Sequence, residues 1–156
     1  MNCAKALAAF LLLLASTVSA ASAEAPAWPG KTGRYVFEVT RNGDSIGTQV
    51  VEIKQQGDTL VSTTESTVAV KLLGIVVYRL HQVLTETYRG GRLVAVSGDT
   101  VDSGGRRLAE MTRDAGDHWT GHYNKEKRAF DCDCEATPMW HIDTIQHTGL
   151  IEASQG

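Results

Sequence analysis

Short turn signals recur along this chain at intervals of one strand length, and they restrict its fold more than any other feature. Asn42-Gly43, Gln56-Gly57-Asp58, Gly90-Gly91, Gly104-Gly105 and Ala115-Gly116-Asp117 each separate runs rich in Val, Thr, Tyr and Leu. Asn124-Lys125-Glu126 is a weaker sixth signal, and Gly74 divides the one long interval. No proline occurs between Pro29 and Pro138, as sheet interiors require, because a proline removes a ladder donor. The spacing predicts strands over 34–41, 45–54, 59–70, 75–88, 92–102, 106–114, 118–124 and 127–134.

Eight sequential strands joined by tight turns make an antiparallel meander. Tyr35, Phe37 and Val39 share one face of the first strand, and Val36, Glu38 and Thr40 share the other. A long meander must bury one face and protect its edges. The expected fold is therefore mainly β, a meander curled into a barrel or half-barrel.

Two neighbouring segments break the simple alternation. In 59–70, Ser62, Thr64 and Ser66 alternate with Thr63, Glu65 and Thr67, so both faces are polar and the strand reads as lining solvent or a wet interior. From Val68 to Val77 the chain is nearly all apolar, interrupted by Lys71 and Gly74. That run reads either as a buried strand pair bent at Gly74 or as an apolar lip, with Leu72, Leu73, Ile75 and Tyr78 as candidate ligand-binding residues.

Beyond Glu135 the pattern changes. Thr137 as N-cap and Pro138 at the first helical position start a short C-terminal helix through about His147, able to plug a barrel end, with Gly149 ending it. The last residues, Leu150 to Gly156, look like the opening of another strand. Either the C-terminus is truncated or the final strand pairs with a partner, and an unpaired edge strand offers a route to a homo-oligomer.

At the other end, Lys5, the apolar run Ala6 to Ala15 and the small residues Val18 to Ala23 follow one another as the three blocks of a signal peptide. Ala21-Ser22-Ala23 before Glu24 is the better cleavage site. The apolar run is well short of the roughly 20 residues that a spanning helix needs. The expected organisation is a signal peptide over 1–23, a linker over 24–33 and one domain over 34–156, periplasmic or extracellular, with no transmembrane segment after cleavage. The 133 remaining residues carry 14 Lys and Arg against 18 Asp and Glu, mixed along the chain. That balance provides no electrostatic footprint for nucleic acid or for anionic headgroups.

The stretch Lys71-Leu72-Leu73-Gly74-Ile75-Val76-Val77-Tyr78-Arg79, with His81, Glu86, Gly91-Arg92-Leu93 and Thr137-Pro138-x-Trp140, resembles an uncharacterised family of secreted bacterial domains of unknown function. Tyr35-x-Phe37-x-Val39, Asn42-Gly43 and Ile46-Gly47 fit the same pattern, so the similarity runs from about Tyr35 to Gln146. The resemblance implies a periplasmic, β-barrel-like domain whose relatives continue past the end of this chain. It brings no catalytic residues, and the acidic cysteine stretch is not part of its pattern.

The densest set of potential metal ligands is Asp131-Cys132-Asp133-Cys134-Glu135, with His118, His122, His141 and His147 near it in sequence. Cys132, Cys134 and His141 are the metal candidates, since two thiolates and an imidazole suit Cu(I) or Zn(II). An even cysteine count in an oxidising compartment favours a disulfide instead. On one extended strand the two Cα atoms would stand about 6.6 Å apart, near the upper limit for the bond, so the chain must kink for it to form.

No catalytic residues are assigned. His81 and Glu86 are an odd number of residues apart on one strand and face opposite ways. Asp99, Asp102, Asp114 and Asp117 sit at turns, where carboxylates cap backbone groups. Ser45, Ser62 and Ser97 lack a G-x-S-x-G context, and Trp119 with Tyr123 reads as period-two packing. No cofactor is expected. The leading reading is a non-catalytic binding or carrier module for an apolar or amphiphilic, lipid-like small molecule; the alternative is a metal-binding or redox accessory protein using Cys132 and Cys134.

Overall fold

The computed structural model describes residues 32–136, 149–151 and 153. Eight strands follow one another in chain order: β1 (Gly33–Arg41), β2 (Asp44–Gln56), β3 (Thr59–Leu72), β4 (Ile75–Arg89), β5 (Arg92–Asp102), β6 (Gly105–Arg113), β7 (His118–Tyr123) and β8 (Glu126–Asp131). Each pairs antiparallel with the next, so the sheet order is the chain order. Two short strands, β9 (Cys134–Ala136) and β10 (Gly149–Ile151), form a separate parallel pair.

The turns act where the sequence places them. Asn42-Gly43 and Gly90-Gly91 both take positive φ at their two central residues, as a two-residue hairpin with the strands' own twist demands. With turn lengths set, the register follows, and period two sorts the side chains. Tyr35, Val51, Thr64, Leu84, Gly98, Ala109 and Tyr123 lie in one cross-strand row on one face.

That face carries the core. Val51, Ile53, Leu60, Tyr88, Leu93, Val96, Ala109, Met111 and Trp119 are buried on it, and Cys134, Ala136, Ile151 and Ala153 close over them. Gly98 shows how tightly the cover sits. A Cβ there would come within 2.6 Å of the Ala153 carbonyl oxygen and 3.1 Å of the Ala153 Cβ, so only glycine lets that residue rest on β5. Trp119 and Tyr123 do share the inner face, the first fully buried and the second packed against the cluster.

The sheet departs from the expected barrel. Among the described residues β1 pairs only with β2 and β8 only with β7, so the meander they form is open. The physical reason is in the last strands. β8 has six residues, all exposed, against fifteen in β4, and a strand this short cannot complete the ladder that closure needs. The apolar face is covered by the returning β9–β10 segment instead. The predicted strand 127–134 accordingly ends at Asp131, where the chain turns off the sheet. The helix expected from Thr137 to His147, like the leader and most of the 24–33 linker, lies outside the described residues.

Strand 59–70 also differs from the expectation of a wet lining. Ser62, Thr64 and Ser66 are buried in the third strand of the eight-strand sheet, on the face that carries the core.

Candidate functional site

Three features of the sheet bear chemistry. The first is the β3–β4 hairpin tip, where Leu72 pairs with Ile75 across the two-residue turn Leu73-Gly74. Both turn residues have positive φ, 51° at Leu73 and 81° at Gly74. Asn42 and Gly90 hold the equivalent first position in the other two such turns, and both residue types tolerate the left-handed region. Leucine does not, at a cost of roughly 1 kcal/mol or more.

Leu73 is also 95% exposed, and Leu72, Ile75, Val77 and Tyr78 are exposed with it. The run is therefore not a buried strand pair: Val68, Ala69, Val70 and Val76 are half-buried, and Leu72, Leu73, Ile75 and Val77 stand in solvent. Lys71 and Arg79 flank them, both exposed. Beside the tip a groove of about 730 Å³ opens between the two hairpins, with Arg41, Asp44 and Ser45 on one wall and Val70, Leu72 and Val77 on the other. Of the four ligand-binding candidates, Leu72, Leu73 and Ile75 sit at the turn itself, and Tyr78 lies lower, opposite Val70.

The second feature is a buried acidic cluster on the inner face. Glu86 and Tyr88 project from β4, with the Tyr88 hydroxyl donating to Glu86 Oε2 at 3.4 Å, and Glu135 of β9 is buried against them. Burial pushes the Glu86 carboxyl up to about 8, the Glu135 carboxyl adds to the rise, and the Tyr88 hydrogen bond opposes it. Burial also holds the Tyr88 hydroxyl protonated far above the usual phenol range, with both glutamates acting in the same direction. Ser62, directly opposite Glu86 in the β3–β4 ladder, is 1% exposed, and its Oγ has no hydrogen-bond partner among the described residues.

Glu86 keeps its proton into the neutral range and can act there as a donor. Sequence reasoning placed Glu86 opposite in facing to His81, and so it is: His81 stands on the outer face near Thr67 and Glu65. The cluster itself was missed. Its one sequence signal is the polar series Ser62, Thr64, Ser66, buried on the face that carries the core.

The third feature is the turn after β8. Cys132 and Cys134 are joined as a disulfide with Cα atoms 5.1 Å apart, an ordinary span, because the chain kinks between β8 and β9. With the sulfurs bonded to each other the pair presents no thiolate to a metal. His118 Nδ1 donates to Asp131 Oδ1 at 2.6 Å, and His122 lines a shallow hollow with Glu110 and Lys127, on the face away from the disulfide. His141 lies outside the described residues. Among the described residues no three His, Cys, Asp or Glu side chains converge as a metal site.

The turn is tied down by Arg113. Its guanidinium, stacked 5.6 Å from the Trp119 ring centroid, donates to Asp133 Oδ1 at 2.7 Å and pairs with Asp117, which Arg92 also contacts. Trp119 Nε1 donates to the Cys132 carbonyl at 3.1 Å, and the Cys132 amide donates to the Asp117 carbonyl at 3.0 Å.

The remaining turn carboxylates are structural. Asp114 accepts from the Gly116 and His118 amides, which hold it below the usual carboxylate range. Asp102 is held low by Arg107 and then by the Gly104 amide; Asp99, read from the sequence as a turn residue, lies instead within β5, where Arg106 across the β5–β6 ladder holds it low.

A family model described as a domain of unknown function (DUF6134) matches residues 37–156. No curated protein and no solved structure matches the chain.

Proposed function

The chain belongs to the DUF6134 family, a domain of unknown function, so its role has to be read from its own surface, and we propose a binding or carrier module that engages an apolar or amphiphilic ligand at the β3–β4 tip. Leu72, Leu73, Ile75 and Tyr78 make the contact in this reading. In this reading it works outside the cytoplasm, on the strength of the signal peptide expected over 1–23, and without catalysis.

One observation carries the reading: Leu73 is unfavourable twice over where it stands. Its left-handed backbone opposes a leucine, and its side chain is almost wholly in water. Neither circumstance helps the fold, which uses asparagine or glycine in the same turn elsewhere. A contact made on binding accounts for it. In the groove Arg41 and Lys71 outnumber Asp44, which supports an anionic headgroup beside an apolar tail.

The test compares wild type with Leu73→Asn, using a dansyl-labelled fatty acid as probe and thermal unfolding as control. Asparagine suits the turn, so the variant should unfold at the same temperature or a higher one. Losing one buried leucine side chain should weaken the probe by about tenfold or more. Leu73→Asp and Ile75→Asp should fold as well, both positions being in solvent, and bind as poorly. A probe that binds wild type and Leu73→Asn equally, or binds neither, overturns the reading.

A further inference from the structure

The open meander has two edges, and they are built differently. β8 is short and carries Glu126, Lys127, Arg128 and Asp131 among its six residues, a charged edge that resists pairing with another chain. β1 has nine residues and presents three consecutive apolar ones at its centre: Tyr35, Val36 and Phe37, exposed to 37%, 58% and 49%. Among the described residues its one strand neighbour is β2, which leaves a row of backbone donors and acceptors on the other side.

We propose that β1 of one copy pairs antiparallel with β1 of a second copy about a two-fold axis through Val36, joining two open sheets into one. The sequence of the strand is complementary to itself in this register. Val36 faces its own copy, Tyr35 faces Phe37, and Arg34 faces Glu38, the last two pairs each occurring twice by symmetry. Arg34 and Glu38 make no ion pair with any described residue of their own chain.

Alternatives fail on faces or on charge. A shift of one residue would set the face bearing Tyr35 and Phe37 against the face bearing Arg34, Val36 and Glu38, turning one core face to solvent. A shift of two sets Val36 against Arg34 in one direction and against Glu38 in the other, so the charges no longer meet. β1 is regular from Gly33 to Val39, where a bulge begins, so the whole seven-residue span is available for pairing.

Sedimentation velocity on the purified protein, over concentrations up to about 100 µM, reads the association directly. Wild type should form a dimer. Val36→Lys places two cations opposite each other at the axis and should weaken the dimer about tenfold or more, with unchanged thermal unfolding at concentrations dilute enough for both proteins to be monomeric, because the side chain is exposed in the monomer. Glu38→Arg should also weaken it, and adding Arg34→Glu should restore most of the affinity by reversing both pairs. A wild type that stays monomeric throughout overturns the proposal. So does a dimer that ignores Val36→Lys, or one that the double reversal fails to restore.

Discussion

Arg113 donates from Nη2 to Oδ1 of Asp133 at 2.7 Å, and this bond fastens the disulfide turn to the end of β6. The guanidinium side chain is 2% exposed, whereas Asp133 is largely in water. The cation is therefore the partner that depends on the pair.

Arg113 also reaches the carbonyls of Leu93 and Cys134, at 3.4 and 3.5 Å, and the carboxylate of Asp117. Only a forked, planar group serves so many acceptors at once. Asp133→Asn should lower unfolding stability by roughly 1.5 kcal/mol, one charge-assisted hydrogen bond. Arg113→Lys should cost more, about 3 kcal/mol, because one ammonium cannot replace the fork in a buried position. Urea unfolding of both variants checks this. Equal costs would mean that charge alone, without the geometry, holds the turn.

Glu86 makes stability depend on pH. Its carboxyl titrates near 8 when folded and near 4.5 when exposed, so between those values the native chain holds a proton that the unfolded chain has released. Stability is therefore fullest below about 4.5, falls by up to about 1.4 kcal/mol per pH unit through the window and levels above 8. Asp99, Asp102 and Asp114, all held low, add their own loss only below the usual carboxylate range and leave the window clear. Urea midpoints at intervals from pH 5 to 8 should show the decline, and Glu86→Gln should flatten it. A flat wild-type profile would remove Glu86 from the account.

The Cys132–Cys134 bond closes a very small loop, so it removes little freedom from the unfolded chain, roughly 1.5 kcal/mol on the loop-entropy estimate. The turn has other anchors in Arg113, the Trp119 indole and the Cys132 amide. Cys132→Ser with Cys134→Ser should keep the sheet and lose about that much stability, by circular dichroism and urea unfolding. Loss of the folded state would show that the bond, and not the meander, supplies the core.

Much of the sheet was legible before any coordinate. Asn42-Gly43, Gly90-Gly91 and their fellows are local devices, and a turn of set length fixes pairing, register and facing for the strands it joins. Hence the strands from β1 to β7 fall within about three residues of their expected limits, and Trp119 and Tyr123 lie on one face as period two requires. His81 and Glu86 were separable for the same reason.

What the turns could not decide was anything that depends on a distant segment. Val68 to Val77 has the same composition whether buried or bare, and Leu73 is in solvent because no described segment packs on it. Ser62, Thr64 and Ser66 look wet from their own alternation, yet they are buried on the face whose β4 and β5 side Glu135 and Ala153 return to. The same return leaves the sheet open: β8 ends at Asp131, the chain kinks through the disulfide, and its last strands cover the apolar face that closure would have buried. Strand pairing between neighbours is settled by a few adjacent residues, while closure, cover and the pKa of Glu86 are settled by contacts whose partners lie far apart in the chain.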